Sequence, residues 1–429
     1  MRFIVVGNSA AGLFAVEEIR KHDTESELIV LTAEHEPSYS RCLTTYFLAG
    51  DIPASNLYLR DKNFAERLKL NIIYGVKVTS IDPALQTVRS ADGQEWKYDK
   101  LLLALGSSAN KLTVPGSELP EVFTLRTLED ALAIDKVLKR GAQKAVVIGG
   151  GLVSLKCAYA LKKRGLDVSI VVSSGQILSQ MLDKKAAEIL QNHLTKYGLN
   201  FLLQAEVLAV KGPDRVQSVL LSSDTKLAAD LVIVGKGVRP NTGELKNNGF
   251  NIGRGLRVDS HLATNFPNIY AAGDIAETWD IVRQEYTVNA TWPNAAAQGR
   301  IAGANMCGRQ EIYPGSLGLN SVDFFGLSAM SVGITKLQED MAAEEWEQAE
   351  TQKAIGDMPI YRKLIWHQNM LKGFVLVGDT SQGGVLTALV KSGRPLTQVQ
   401  KLSAMNKPGH FAASMFTSGA NAAACVNVQ

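Results

Sequence analysis

Two short stretches of this 429-residue chain carry residues whose types and spacing suit phosphate chemistry. The first is Gly7-Asn8-Ser9-Ala10-Ala11-Gly12 and the second is Gly149-Gly150-Gly151-Leu152-Val153-Ser154. In each, the leading glycine permits a tight turn, a small middle residue lets the backbone approach a diphosphate, and a small third residue permits close packing of helix on strand. Ser9, Ala10 and Ala11 in one stretch, and Gly151, Leu152 and Val153 in the other, would present the N–H groups of a helix start to the anion. Ser9 stands for the usual second glycine, and its hydroxyl could donate to a phosphate oxygen; Ser154 stands for the usual third. The other reactive group is Cys42, in Ser38-Tyr39-Ser40-Arg41-Cys42-Leu43. A thiolate there, with its pKa lowered by a helix N-terminus, could attack a disulfide or a peroxide.

These residues need elements to position them. Phe3 to Val6 and Ala145 to Ile148 are apolar, largely β-branched runs ahead of the two turns. A helical pattern follows each turn, from about Ala11 to Lys21 and from about Val153 to Arg164, and then a second apolar strand, Leu28 to Thr32 and Val168 to Val172. That is a βαβ unit twice over. One glycine pattern alone is weak, whereas two in strand–turn–helix–strand context are much stronger. Three further buried strands end in glycine, at Ala104-Leu105-Gly106, at Gly235-Lys236-Gly237 and at Gly273-Asp274. In open α/β sheets ligands bind at such carboxyl ends. An acid following the first turn should hold ribose hydroxyls; Glu34 is the candidate, after a polar insertion from His22 to Glu27, and Glu36 is the alternative.

Composition narrows the class. Hydrophobic residues make up 46% and charged residues 20%, a globular balance that excludes overall disorder. Forty-five basic against 42 acidic residues leave a net charge of +3, which makes no case for nucleic acid or membrane binding. Cys42, Cys157, Cys307 and Cys425 lie too far apart for a disulfide framework or a CxxC metal site, so no metal is expected and reduced thiols in the cytoplasm are the simplest reading. Cys157, Cys307 and Cys425 read as small core or tail residues. The N-terminal apolar run is too short for a signal segment, and no stretch suits a membrane helix. Near Tyr313 the texture changes: residues 317–334 read as strands, 335–350 as an exposed acidic helix and 360–378 as a hairpin, with a loosely structured or subunit-contacting tail beyond Lys401. The fold class is α/β, with two Rossmann-like dinucleotide-binding domains and a C-terminal α+β domain.

The ordered motifs resemble those of the FAD-dependent pyridine nucleotide-disulfide oxidoreductases, flavoproteins with two dinucleotide-binding domains. Thr264-Asn-Phe-Pro-Asn-Ile-Tyr-Ala-Ala-Gly273-Asp274 is similar to their second flavin signature, whose aspartate binds the ribityl chain. The segment through Ala104 and Gly106 resembles their Ala-Thr-Gly motif, and the segments from Gly235 to Asn241 and from Trp292 to Arg300 also match. The resemblance covers nearly the whole chain. It implies an FAD domain at 1–110 and 240–315, an NAD(P) domain at 111–239 and a dimerisation domain at 316–429. It implies FAD held by Gly7, Ser9, Ala10, Ala11, Gly12, Glu34, Arg41, Ala104, Gly106, Gly273 and Asp274. It places NAD(P)H against Gly149, Gly151, Leu152, Val153, Ser173, Gly235 and Gly237. Ser173 supplies neither the acid of NAD-specific relatives nor a positive charge, which leaves a lean toward NADH. Lys156, where many relatives carry glutamate, would set a cation near the nicotinamide or flavin.

Two branches of the family fit the Cys42 segment. Ser38-Tyr39-x-x-Cys42 is similar to relatives in which a single redox cysteine reduces disulfides, persulfides or oxygen species, although Leu43 replaces their glycine. Tyr39-x-Arg41 is similar to the rubredoxin reductases and the flavin module of nitrite reductase. The C-terminal segments from Asn320 to Leu327 and from Gly373 to Asp379 resemble the second group. The expectation is therefore an enzyme that passes electrons from NAD(P)H through FAD to a small iron–sulfur carrier such as ferredoxin or rubredoxin. The alternatives are a Cys42-dependent reductase or oxidase, and an FAD-binding subunit of a larger redox complex. A cytoplasmic homodimer is expected.

Overall fold

The apolar runs that precede the glycine turns form parallel sheets. In the computed structural model, which describes residues 1–246, 248–336, 344–352 and 358–406, strand Arg2–Val6 pairs in parallel with Glu27–Leu31 on one side and Lys100–Leu103 on the other. Ile269–Ala271 and Asn71–Ile73 complete this sheet at its two edges, also in parallel. Parallel strands buried on both faces are continuous apolar runs rather than alternating ones, and Phe3 to Val6, Leu28 to Leu31 and Leu101 to Leu103 are buried throughout. Helix α1 (Ala10–His22) leaves the first strand through the Gly7 turn. The Glu27–Leu31 strand leads, through a loop and a 3₁₀ turn at Arg41–Leu43, into the short helix α2 (Thr44–Ala49).

The second sheet repeats the scheme. Lys144–Ile148 pairs in parallel with Asp167–Val172 and with Leu231–Val234, and Leu199–Leu203 and Val122–Phe123 add the outer strands. Helix α3 (Leu128–Lys139) starts at a capping box in which the Thr127 hydroxyl accepts from the Asp130 N–H and the Asp130 carboxylate accepts from the Thr127 N–H. Helix α4 (Leu152–Lys163) leaves its strand through the Gly149 turn. Both βαβ helices start and stop within a residue of their sequence-based limits.

The chain forms two compact units, Met1–Gly175 with Gly198–Ser316, and Gln176–Tyr197 with the chain from Leu317 on. The first contains both parallel sheets. Within it a two-stranded antiparallel ribbon pairs Ser107–Ala109 with Val238–Pro240. Helix α5 (Lys184–Lys196) belongs to the second unit. Helix α6 (Trp292–Met306) packs along α1 so closely that a Cβ on Gly299 would lie 2.2 Å from the Ala11 carbonyl oxygen, and one on Gly303 2.6 Å from that of Ala15.

The second unit is built on an antiparallel sheet in the order Leu319–Phe324, Leu327–Gly333, Met370–Val377, Met358–His367 and Glu344–Gln352. Helices α7 (Gly383–Ser392) and α8 (Gln398–Asn406) follow it. The strands within 317–334 and the hairpin within 360–378 stand where the sequence placed them. The acidic helix over 335–350 does not: residues 344–352 are an edge strand, and 337–343 lie outside the described residues. The reason is a period of two. Glu345 and Glu347 both turn to the buried ammonium of Lys363, at 2.8 and 3.6 Å, while Trp346 between them meets Trp366. The helix over 398–406 replaces part of the tail read as loosely structured, and Cys425 lies outside the described residues.

Candidate functional site

The Gly7 turn has the features of an anion cradle. Gly7 sits at φ +116°, and a Cβ on it would lie 2.2 Å from the Ala104 carbonyl oxygen. A Cβ on Gly12 would fall 1.9 Å from the Gly7 carbonyl oxygen, so only glycine lets α1 start this close to its strand. Ser9 is the N-cap of α1, but its side chain makes no capping bond, and the first turn carries no acid. The leading N–H groups of Ala10, Ala11 and Gly12 therefore lack the side-chain partner that most helix starts have. Beside them, Ser38 donates to Asn8 Oδ1 at 2.6 Å, while the buried Asn8 Nδ2 has no partner among the described residues. An uncapped helix start with an orphaned donor beside it fits a diphosphate-bearing cofactor.

Arg41 gathers the next groups. Its Nε donates to Ser9 Oγ at 3.2 Å, its Nη1 to Tyr39 Oη at 3.1 Å and to the Arg126 carbonyl at 2.7 Å, and its Nη2 to the Glu34 carboxylate. Tyr39 donates to the other Glu34 oxygen and accepts from the Leu128 N–H at 2.9 Å. Burial pushes the Tyr39 phenol well above its ordinary pKa, so it stays a donor at every physiological pH. Glu34, Arg41 and Ser9 thus come together at the first turn. The alternative acid, Glu36, instead accepts from Tyr58 at 2.7 Å.

A second cluster forms around Asp274. Arg126 Nη2 lies 2.7 Å from Asp274 Oδ2 and donates to Ser107 Oγ at 2.9 Å; Ser107 donates to the same carboxylate oxygen at 2.8 Å. The Gly273 N–H donates to the buried Gln298 Oε1 at 2.7 Å, which ties the Gly273 turn to α6. Gly106, at φ +67°, stands between Ala104 and Ser107 with only the Arg126 guanidinium near the place of a Cβ. Cys42 lies within electrostatic reach of both Arg126 and Asp274. Cys42 is exposed as a residue, yet partial desolvation by the surrounding chain pushes its thiol above the ordinary 9.0, Arg126 pulls it down, Asp274 pushes it up again, and the net direction is up. Cys42 sits in the 3₁₀ turn directly ahead of α2, two residues before Thr44.

The Gly149 turn differs. Gly149, at φ +113°, would bring a Cβ to 2.3 Å of the Gly235 carbonyl oxygen, the counterpart of Gly7 against Ala104. At the third position Ser154 is fully buried and donates to that same Gly235 carbonyl at 3.0 Å. Gly151 caps α4 with open space around it, no side-chain cap and no acid in the first turn that Leu152 and Val153 begin. Gly237, at φ +80°, accepts through its carbonyl from the Asn110 N–H at 3.0 Å. Ser173 is exposed just past the Asp167–Val172 strand. Lys156 places its ammonium 5.1 Å from the Tyr46 ring centroid and 5.6 Å from that of Tyr159.

Several residues of these clusters escaped the sequence-based site. Arg126 is the main one, joining Asp274, Ser107 and, through its carbonyl, Arg41. The available signal was the capping box from Thr127 to Asp130, which marks a helix start just after it. Tyr39, Asn8 and Gln298 lay inside quoted motifs, but nothing in their spacing tells that they would bond Glu34, Ser38 and Gly273.

Comparison with known proteins agrees with this geometry. The chain is 31% identical over 381 residues to the assimilatory nitrate reductase electron transfer subunit of Bacillus subtilis, covering 88% of this chain and 48% of that one. The chain thus spans about half the length of the curated relatives that match it first. It is 31% identical over 402 residues to the NADH-dependent phenylglyoxylate dehydrogenase subunit epsilon of Aromatoleum evansii, covering 93% of each. Among solved structures, an NAD-dependent persulfide reductase from A. fulgidus matches with a TM-score of 0.88 and 26% identity, over 97% of this chain and 83% of that one. Residues 1–299 match the family described as pyridine nucleotide-disulphide oxidoreductase, an oxidoreductase family of flavoproteins that bind FAD and NAD(P)H, and the chain belongs to it.

Proposed function

We infer that this chain is an FAD-dependent NAD(P)H oxidoreductase that hands electrons on to a partner redox protein, with a small iron–sulfur carrier as the acceptor. The observation that carries the reading is the pair of uncapped glycine turns, one flanked by the Glu34–Arg41 and Arg126–Asp274 clusters and the other free of both. FAD, when bound, supplies hydride acceptance and its division into single electrons. The chain's own residues bind and orient. The N–H groups after Ser9 take the diphosphate, with Asn8 Nδ2 and Arg41 beside them; Glu34 accepts from ribose hydroxyls; Asp274 accepts from the polyol chain and is held in place by Arg126 and Ser107. The Gly149 turn and the start of α4 take the nucleotide diphosphate. Ser173 brings no charge of either sign to the nucleotide ribose, and the preference for NADH is modest.

The protonated Cys42 thiol supports electron delivery to a carrier over thiol exchange, because the thiolate is the nucleophile. The name of the B. subtilis relative, an electron transfer subunit, fits the same direction, as it fits a flavin subunit within a larger complex. A second reading, a Cys42-dependent persulfide or disulfide reductase, is favoured by the exposure of Cys42 beside Arg126 and by the likeness to the A. fulgidus persulfide reductase. Anaerobic titration with NADH, followed by flavin absorbance, tests the function. The expected result is full bleaching and, in Cys42→Ser, undiminished reduction of ferricyanide or an iron–sulfur protein. Loss of every acceptor activity in a folded, flavin-loaded Cys42→Ser protein would establish the second reading instead.

A further inference from the structure

Three cations of α4 reach across to α2. Lys156 stacks on the Tyr46 ring at 5.1 Å, Lys163 bonds Asp51 just past the end of α2, and Arg164, the C-cap of α4, donates to the Leu48 carbonyl at 3.2 Å. Lys163 and Arg164 grip the far end of α4, where its macrodipole also favours positive charge. Lys156 alone of the three lies near its start, four residues after Leu152 and hence about one turn from the Gly149–Gly151 turn. Its partner Tyr46 lies four residues beyond Cys42, in the segment that begins with Arg41. Lys156 is half-buried as a residue, and its ammonium also faces the Tyr159 ring at 5.6 Å, so two aromatic rings flank it.

We propose that Lys156, through its stack on Tyr46, is a positioning residue that sets the nucleotide turn against the flavin-side segment, so that a bound nicotinamide meets the flavin in reactive register. This rests on the NAD(P)H-to-flavin function inferred above. The physical warrant is that hydride transfer is steep in geometry: a misplacement of about 1 Å can cost on the order of a hundredfold in rate with little change in affinity. A contact at the turn end of α4 controls that placement; a contact at the far end holds only the seam.

Stopped-flow reduction of the flavin-loaded protein by NADH under anaerobic conditions tests this, with Lys163→Gln as the comparison. In Lys156→Gln and in Tyr46→Leu the limiting rate of flavin reduction at saturating NADH should fall by about tenfold or more, while the apparent Kd for NADH moves less than about threefold. The long-wavelength absorbance of the NADH–flavin complex should weaken in both, and Lys156→Arg should restore rate and absorbance. Lys163→Gln should leave all three readings unchanged. An unaltered limiting rate in both Lys156→Gln and Tyr46→Leu would overturn the positioning role, as would an equal loss in Lys163→Gln. A wild-type protein whose bound flavin no nicotinamide nucleotide reduces would overturn this proposal together with the function on which it rests.

Discussion

The two glycine turns solve one packing problem with different residues. At the first, the strand end is crossed by the Ala104 carbonyl and the third position must be glycine, because a Cβ on Gly12 would sit 1.9 Å from the Gly7 carbonyl oxygen. At the second, the third position is Ser154, whose hydroxyl bonds the Gly235 carbonyl at 3.0 Å. The restriction has moved to the neighbouring strand: a Cβ on Gly235 would meet Ser154 Oγ at 2.0 Å, whereas the equivalent residue beside the first turn is an alanine. Helix α1 is also clasped by Gly299 and Gly303 of α6, while α4 meets α2 through cations and an aromatic ring. A glycine motif therefore states a demand for close approach, and the tertiary neighbours decide which residue meets it.

The largest effect should come from Gly12→Ser, the change that copies the second turn into the first. The clash is with backbone and cannot be relieved by a rotamer. We expect a loss of about 3 kcal/mol or more in chemical denaturation, with little flavin retained on purification. A protein that tolerates Gly12→Ser as the second turn tolerates Ser154 would break the comparison.

Asp274→Ala should follow. It leaves Arg126 and Ser107 without their shared carboxylate and removes the group proposed to accept from the polyol chain. Flavin affinity, measured by equilibrium dialysis against the deflavinated protein, should drop at least tenfold, or about 1.4 kcal/mol.

A double-mutant cycle sharpens the account of the second turn. Gly235→Ala alone should cost about 1–3 kcal/mol through the clash with Ser154. In a Ser154→Gly background most of that cost should vanish, because the remaining near contact is the Ser154 Cα at 3.4 Å. Additive losses would place the strain elsewhere. Ser154→Ala, which removes only the hydroxyl, should cost about 1 kcal/mol.

The smallest effect is in pH dependence. The folded-state pKa of Cys42 is raised, so the thiolate is a minor species at neutral pH and grows as pH rises through and beyond the ordinary 9.0. Alkylation of Cys42 by iodoacetamide, followed by mass spectrometry on deflavinated protein, should still be accelerating at pH 9. A rate that levels off below pH 8 would point to an activated thiol and favour the persulfide reading.

Both βαβ units were legible in the linear order of residues, because periodicity and glycine placement are local properties that backbone sterics translate directly into strand, turn and helix. The sequence also placed Gly7, Gly149 and Asp274 just past strand ends and Gly12 in the first turn of the helix that follows. It misread the helix expected over 335–350, of which 344–350 are strand: Glu345 and Glu347 are drawn to Lys363 in a neighbouring strand, and nothing in the segment itself announces that partner. Only the tertiary structure brought Arg126 to Asp274, 148 positions away in the chain, and Tyr39 to the Leu128 N–H, 89 away. Only it placed Lys156 on Tyr46 and pushed the Cys42 thiol up. Such pairings depend on how separate elements pack, and the energies of burial and charge that they set are sums over neighbours that the linear order does not contain.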